Sequence, residues 1–179
     1  MRQGLSLLLL LGSALAGFAL TRVGARSTGE SPFTLGEWPA RGSGEVLVEY
    51  FDPGCAISQM VHADLDRLFT AHPEAIRHVM VPVKIVSESG VGWAEVLCAS
   101  EHAWSLASRL VRVTEKPSPD EVSQALGRPL CHDRVQRATN HLVSLQGQRV
   151  LVPAVEYREH LYVGLPEIQE LLATIQGQY

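Results

Sequence analysis

The feature that most constrains the fold is the junction at Cys55, where an apolar strand passes directly into an amphipathic helix. Residues 46–51 are mostly β-branched or aromatic, which predicts a strand, and the Asp-Pro-Gly turn at 52–54 ends it. Between 56 and 71 the apolar residues recur at helical spacing, and a His-Pro pair ends that helix. A strand and a helix joined by so short a turn predict the beginning of an α/β unit.

The remaining elements continue this pattern. A second strand is predicted over 76–86, with an interruption at Pro82 because proline suits an edge or a bulge better than a central ladder. Apolar spacing and terminal Gly, Pro and Ser residues predict helices over 91–112, 118–127, 131–145 and 166–176, and two short strands around a turn at 158–160. The order predicts a thioredoxin-like α/β fold with a helical insertion over about 91–147.

The first 25 residues predict a targeting segment. Arg2 precedes a leucine-rich apolar stretch with small residues near its end, which is typical of an export signal. The stretch is slightly long for a signal and slightly short for a membrane span, so an inner-membrane anchor over residues 4–20 is the alternative. Residues 26–44, rich in Ser, Gly, Pro and Thr, predict a linker, and residues 45–179 predict one domain.

Charge and composition exclude several function classes. The net charge is −4, with both signs mixed along the chain, which argues against a nucleic-acid interface. The histidines and cysteines form no metal-binding pair, and neither a phosphate loop nor a G-x-S-x-G motif is present, so no metal and no cofactor is predicted. The chemistry must come from individual side chains, and the three cysteines of an exported chain are the first candidates: Cys55, Cys98 and Cys131.

Cys55 begins the predicted helix, and this position favours a reactive thiol. Backbone N–H groups and the helix dipole stabilise a thiolate there, and the thiolate is the nucleophile of disulfide exchange. A small buried side chain without chemistry is the alternative. Ser58, at the fourth position of the Cys-x-x-Ser motif, can donate a hydrogen bond to the thiolate but cannot resolve a mixed disulfide. The motif therefore predicts monothiol chemistry.

Three segments resemble one known family. The segment Tyr50-Phe51-Asp52-Pro53-Gly54-Cys55-x-x-Ser58-x-x-x-His62 resembles the active site of the bacterial periplasmic disulfide isomerases of the DsbC/DsbG type, which carry a second cysteine in place of Ser58. Residues 96–99 and 129–132 are similar to the flanks of a structural disulfide in that family. Residues 152–155 and 161–164 resemble its cis-proline loop and last hairpin. The resemblance spans about 45–176, with the segments in the family's order.

The resemblance implies roles for these segments. It makes Cys55 the nucleophile and pairs Cys98 with Cys131 in a disulfide; two free buried thiols are the alternative. It also makes Val152-Pro153 a cis peptide that binds an extended substrate by strand addition, although an X–Pro bond taken alone is predicted to be trans.

Two titratable residues flank Cys55 in the sequence. Glu49 lies on the preceding strand, where the resemblance implies a buried acid that moves protons to the active thiol. A solvent-facing carboxylate is equally compatible with the sequence pattern. His62 lies two helical turns after Cys55, too far to act as its base, so a packing or surface role is expected.

Two departures from the family limit what the resemblance implies. Ser58 removes the resolving cysteine, and residues 26–44 leave no room for the family's dimerisation domain, so a monomer is expected. We predict a periplasmic protein in thiol–disulfide exchange, isomerase- or reductase-like, that acts on cysteine-containing envelope proteins with the help of an upstream thiol reductant. The alternatives are an inactive binding module, such as a chaperone or a component of a secretion or conjugation assembly, and a structural fold with an idle cysteine.

Overall fold

The computed structural model describes residues 35–86, 92–112, 118–147 and 149–179. Its strands are β1 (Ala40–Arg41), β2 (Glu45–Phe51), β3 (Ile76–Pro82), β4 (Ala154–Tyr157) and β5 (His160–Val163). Its helices are α1 (Ala56–Ala71), α2 (Trp93–Ala99), α3 (Ala103–Arg112), α4 (Pro119–Leu126), α5 (His132–Gln146) and α6 (Leu165–Gln176). The targeting segment predicted over 1–25 lies outside the described residues. Within the described ranges, none of the helices has the length and apolar character needed to cross a membrane.

Strand β2 lies at the centre of a mixed sheet with the order β1-β3-β2-β4-β5. It runs parallel to β3 and antiparallel to β4, so that Val48 lies opposite Val79 on one side and Glu156 on the other. From Leu47 to Phe51 every residue of β2 is buried. A strand buried on both faces has apolar residues at successive positions, and β2 follows this pattern from Val46 to Phe51 except at Glu49.

Three residues of β2 pack into three different hydrophobic clusters. Leu47 packs with residues of α1 and α6. Val48, on the opposite face, packs with residues of α2 and α5. Phe51 packs with residues of α2 and α3 in a third cluster. Helices pack against both faces of β2. The position and direction of its C-terminal end, which leads into the Cys55 turn, are therefore fixed.

The strand predicted over 46–51 and the helix predicted over 56–71 are confirmed. The single helix predicted over 91–112 is wrong, since the chain forms α2 and α3 with a break between them. Ser100 ends α2 because it adopts extended backbone, and its Oγ accepts a hydrogen bond from the His102 N–H at 3.1 Å. This local side-chain acceptor competes with helix continuation.

Strand β3 is shorter than the predicted 76–86 and ends at Pro82. It lies between β2 and the two-residue strand β1, which pairs only with His78 and Val79. Pro82 therefore lies beyond the reach of β1, where no ladder hydrogen bond from its nitrogen is needed.

Candidate functional site

Backbone hydrogen bonds fix the turn that carries Cys55, the N-cap residue of α1. The Cys55 N–H donates to the Asp52 carbonyl oxygen at 3.0 Å, and the Cys55 carbonyl accepts from the Gln59 N–H at 3.1 Å. Gln59 Nε2 also donates to the Pro53 carbonyl oxygen at 2.7 Å. The half-buried thiol is thereby held at the positive end of a 16-residue helix, where negative charge is stabilised.

The Asp52 carboxylate connects this turn to the loop that follows β3. Its Oδ1 accepts from the Gly54 N–H at 2.8 Å. Its Oδ2 accepts from the Ile85 and Val86 N–H groups at 2.8 and 2.7 Å. Sequence reasoning treated Asp52 only as part of a turn. The Asp-Pro-Gly sequence is a signal for the contact with Gly54, but nothing in it points to the loop after β3.

The loop before β4 faces the Cys55 thiol. The Val152–Pro153 peptide is cis, which confirms the geometry implied by the resemblance. Cys55 Sγ donates a weak hydrogen bond to the Val152 carbonyl oxygen at 3.9 Å, across 97 residues of sequence. The Pro153 carbonyl in turn accepts from the Gly164 N–H at 2.9 Å, which ties the loop to the end of β5. The binding of substrate at this loop stays a prediction.

Ser58 is fully buried one helical turn beyond Cys55. Its Oγ has no hydrogen-bond partner among the described residues. The expected Ser58–Cys55 hydrogen bond is therefore not formed here, where the Cys55 thiol donates to Val152 instead. A buried hydroxyl without a partner is uncommon, and the Ser58 hydroxyl remains available as a donor to a Cys55 thiolate one turn away.

Glu49 is buried, with an exposed fraction of 1%, so a solvent-facing carboxylate is wrong. His62 Nδ1 lies 3.1 and 2.9 Å from its two carboxylate oxygens. His78 Nε2 lies 2.9 Å from Oε2. Both histidines are as deeply buried as the acid. We call these three residues the Glu49 cluster. Sequence reasoning missed His78; the available signal was a polar residue in a strand that is apolar apart from the neighbouring Arg77, and a buried polar residue requires a partner.

Charge and burial divide the protons within the Glu49 cluster. Burial alone would raise the pKa of Glu49, but the charge of His62 and hydrogen bonds from both histidines lower it. Burial alone would lower the pKa of His62, but the charge of Glu49 and its hydrogen bond raise it. For His78 burial prevails, and its pKa is lowered. These directions favour the ionised form of Glu49, the protonated form of His62 and the neutral form of His78. Within the described ranges, no group of three or more His, Cys, Asp or Glu side chains is placed to bind a metal ion.

Cys98 and Cys131 share one hydrophobic cluster and differ from Cys55 in their environment. They are separate thiols in this structure. Burial raises the pKa of the Cys98 thiol, and its hydrogen bond with Cys131 raises it further. A thiol with a raised pKa stays protonated and unreactive at neutral pH. The structure brings the two partners of the predicted disulfide together, and the bond itself stays a prediction.

Exposed apolar side chains lie around the Cys55 turn. Two are on the first turns of α1, one directly precedes Val152, and one donates its backbone N–H to Asp52. We call these four residues the apolar rim: Ile57 (45% exposed), Met60 (54%), Val86 (57%) and Leu151 (51%). Exposed apolar side chains that form one patch are typical of an interaction site.

Comparisons with known proteins support the fold. No protein-family model and no curated protein matches the sequence. The catalytic domain of Proteus mirabilis ScsC is 16% identical with a TM-score of 0.63, over 79% of this chain and 89% of that one. A periplasmic thioredoxin-like protein from Salmonella enterica serovar Typhimurium is 19% identical with a TM-score of 0.62, over 79% and 90%. Chlamydia trachomatis DsbA is 13% identical with a TM-score of 0.61, over 84% and 97%.

At these identities the likeness establishes the fold alone. The chain has a thioredoxin-like α/β fold, as the order of its elements predicted. The similar structures are proteins of the ScsC and DsbA types. The narrower likeness to DsbC and DsbG stays a prediction.

Proposed function

We propose that the chain is an exported monothiol protein that exchanges disulfides with cysteine-containing polypeptides of the periplasm. The observation that carries the proposal is the position of the Cys55 thiol, at the N-terminus of α1 and 3.9 Å from the carbonyl oxygen that precedes a cis proline. The helix dipole stabilises the thiolate, and a half-buried sulfur remains within reach of a substrate disulfide.

The exchange step is an attack by the Cys55 thiolate on one sulfur of a substrate disulfide. A bond forms between Cys55 and that sulfur, the substrate S–S bond breaks, and the second substrate sulfur leaves as a thiolate that takes up a proton. The number of disulfide bonds is unchanged. Ser58 has no thiol with which to release the substrate, so the mixed disulfide persists until an external thiol attacks it. We expect that thiol to come from a separate reductant or from a second cysteine of the substrate.

The surroundings of Cys55 suit a polypeptide substrate. The apolar rim offers four exposed side chains that can contact apolar residues of an unfolded or extended chain. The Val152 carbonyl oxygen, which accepts only a weak bond from the thiol, is available to a stronger backbone N–H donor once the thiol has reacted.

A second candidate is a binding module without turnover, and Ser58 favours it. A protein that forms a covalent bond it cannot resolve, or that forms none, can still hold a partner through the apolar rim. Such a module would fit a chaperone or an envelope-spanning assembly. The two candidates differ in whether Cys55 itself is required.

The test uses the reduced protein and a cysteine peptide activated as a mixed disulfide with an aromatic thiol. We expect the wild-type chain to release the coloured thiol rapidly and to gain the mass of the peptide at Cys55. The Cys55→Ala variant should lose the rapid phase, and the matched Ser58→Ala variant should keep it.

An unchanged rapid phase in Cys55→Ala would contradict the proposal, because the reacting thiol would then be elsewhere. If Cys55→Ala and the wild type capture the same polypeptides from periplasmic extracts with equal affinity, the binding module is the correct reading. Protease access to the chain in spheroplasts but not in intact cells tests its export.

A further inference from the structure

The last residue of α5, Gln146, binds the backbone of the loop that faces Cys55. Gln146 Nε2 donates a hydrogen bond to the Leu151 carbonyl oxygen at 2.9 Å, and Gln146 Oε1 accepts one from the Leu151 N–H at 2.6 Å. One side-chain amide therefore binds both backbone groups of a single residue. A neighbouring β-strand would offer the same donor and acceptor, so the amide takes the place of a strand at this position.

Leu151 needs this contact because the sheet does not reach it. Strand β4 begins at Ala154, which pairs with Tyr50 of β2, and Leu151 lies three residues earlier, outside the strand pairs of the described sheet. Its side chain is 51% exposed, so packing does little to hold it in place. The two hydrogen bonds from Gln146 supply the directional contacts that fix the Leu151 backbone.

The end of α5 places the amide next to this loop. Gly147, the C-cap residue, has a φ of 77°, which favours glycine, and its N–H donates to the Val143 carbonyl oxygen at 2.9 Å. The chain therefore leaves the helix directly after Gln146. Five residues after Gln146, the Leu151 backbone lies against the Gln146 side chain.

The direction of the Val152 carbonyl follows from this contact. The Leu151 N–H and carbonyl point to the same side because one amide binds both, and this is the geometry of an extended residue. Val152 precedes a proline, which favours extended backbone there too. The backbone groups of successive extended residues point to opposite sides, so the Val152 carbonyl points away from Gln146. Its oxygen is the atom that lies 3.9 Å from Cys55 Sγ.

We propose that Gln146 is a positioning residue for polypeptide substrates, an inference that rests on the proposed thiol exchange at Cys55. The Gln146 amide serves as a strand on one side of the Leu151–Val152 segment. The substrate adds as a strand on the other side, where the Val152 carbonyl accepts one of its backbone N–H groups. Gln146 acts through Leu151 rather than on the sulfur atoms, so its contribution is confined to substrates that carry a peptide backbone.

The test compares two disulfides that release the same aromatic thiol. One is the activated cysteine peptide of the exchange experiment, and the other is the symmetrical aromatic disulfide, which has no peptide backbone. We expect Gln146→Ala to lower the second-order rate constant of Cys55 with the peptide about tenfold, because the hydrogen bonds that hold the binding segment are lost. The rate constant with the aromatic disulfide should stay unchanged. A loss of folding or of thiol reactivity would lower both rate constants and leave their ratio unchanged.

A second glutamine of α5 provides the matched control. Gln136 donates its side-chain amide to Asn140 Oδ1 at 2.9 Å on the exposed surface of the helix, so Gln136→Ala should leave the ratio of the two rate constants unchanged. Gln146→Glu keeps the acceptor for the Leu151 N–H but loses the donor, and it should give an intermediate ratio. Amide hydrogen exchange at Leu151 should accelerate in Gln146→Ala and not in Gln136→Ala.

A modified peptide tests the addition of the substrate as a strand. N-methylation of the residues that flank its cysteine removes the backbone N–H groups that could bind the Val152 carbonyl. We expect the N-methylated peptide to react more slowly with the wild-type chain than the unmodified peptide does. Gln146→Ala should not slow the N-methylated peptide further, because the contact that Gln146 supports is already missing.

Three outcomes would overturn the role of Gln146 and leave the thiol exchange intact. Gln146→Ala could slow both disulfides equally, Gln136→Ala could lower the ratio as much as Gln146→Ala, or the N-methylated peptide could react with the wild type as fast as the unmodified one. A wild-type Cys55 that reacts with neither disulfide would instead contradict the proposed exchange, and the role of Gln146 with it.

Discussion

Helix α1 carries two polar sites that are built in opposite ways. At its first turn, Cys55 is half-buried, donates one weak hydrogen bond, and is followed by the exposed side chains of Ile57 and Met60. Two turns later, His62 is almost completely buried and bonded to Glu49, whose carboxylate also accepts from His78. The proposed nucleophile makes one weak hydrogen bond, whereas the Glu49 carboxylate accepts hydrogen bonds from two buried histidines.

This difference predicts that the proposed thiol chemistry and the stability of the domain depend on different turns of the same helix. A nucleophile must reach a substrate, so few contacts can be made to it. A buried charge must be paired, so many contacts are needed. Substitutions along α1 test this separation, and the free energy of unfolding is the measurement that compares them.

The largest effect is expected from Glu49→Gln. Loss of one charge from a buried pair leaves His62 either charged without a partner or forced to give up its proton, at a cost of about 3–5 kcal/mol. Cys55→Ala should change stability by less than about 0.5 kcal/mol because the thiol is half-buried and weakly bonded. Urea denaturation of both variants makes the comparison. If both variants lose the same free energy of unfolding, the two turns of α1 do not differ in their contribution to stability.

The next effect is the pH dependence of stability. The pKa of Glu49 is lowered from 4.5, so its contribution is complete above pH 4.5 and is lost as the pH falls through the folded value. The pKa of His62 is raised from 6.5, so its contribution is complete below pH 6.5 and is lost as the pH rises through the folded value. The lowered pKa of His78 acts in the opposite sense, with a contribution complete above pH 6.5 and lost as the pH falls.

His78→Gln separates these contributions. Its amide can still donate to Glu49 without titrating. We expect its denaturation midpoint to stay level between pH 4.5 and 6.5 and to fall on either side. When Glu49→Gln is added to His78→Gln, the decrease of the midpoint below pH 4.5 and the decrease above pH 6.5 should both disappear. A midpoint of the single variant that rises steadily through pH 6.5 would contradict the assigned charge of His62.

A smaller effect is expected from Asp52→Ala. The substitution leaves three backbone N–H donors without their acceptor, which lowers the free energy of unfolding. The loss is limited to about 1–3 kcal/mol because water can hydrogen bond to part of the freed N–H groups. Amide hydrogen exchange should accelerate at Ile85 and Val86. Asp64→Ala, which breaks only a surface ion pair, is the matched control and should leave these amides protected. Unchanged protection in Asp52→Ala would mean that the loop is held by other contacts.

The smallest change in stability, within about 0.5 kcal/mol, is expected from Ser58→Cys. The site is buried and its hydroxyl has no partner among the described residues, so a thiol of similar size is tolerated. The chemistry should nevertheless change, because a second thiol one turn from Cys55 can displace the substrate. Mass spectrometry of the peptide adduct should show a shorter lifetime than in Ser58→Ala. If the adduct has the same lifetime in Ser58→Cys and in Ser58→Ala, a thiol at position 58 cannot reach the disulfide at Cys55.

The sequence predicted the Cys55 turn well and the Glu49 cluster poorly, for physical reasons. A strand, a turn and a helix are local features, and Cys55 is placed by them alone. Glu49 was left with two alternatives because period-two alternation gives the face of a strand and not what covers it. His78 meets Glu49 across 29 residues of sequence, through the pairing of β2 with β3. Such contacts depend on sheet register, which a single sequence does not specify.

The break between α2 and α3 has a similar cause. Apolar residues continue at helical spacing across 91–112, but the chain breaks at Ser100, whose side chain accepts a hydrogen bond from the His102 N–H. The cis geometry of Val152–Pro153 came from the resemblance to a family, because an isolated X–Pro sequence favours trans.

The two-residue strand β1 has a mechanical consequence. Its Arg41 guanidinium lies 4.2 Å from the Phe69 ring centre on α1 and 4.1 Å from that of Trp104 on α3. A force applied to β1 from its N-terminal side would therefore reach helices α1 and α3 through the Arg41 side chain. The load enters α1 about four turns beyond Cys55. Such a force would act on the C-terminal end of α1, at the opposite end of the helix from the Cys55 turn.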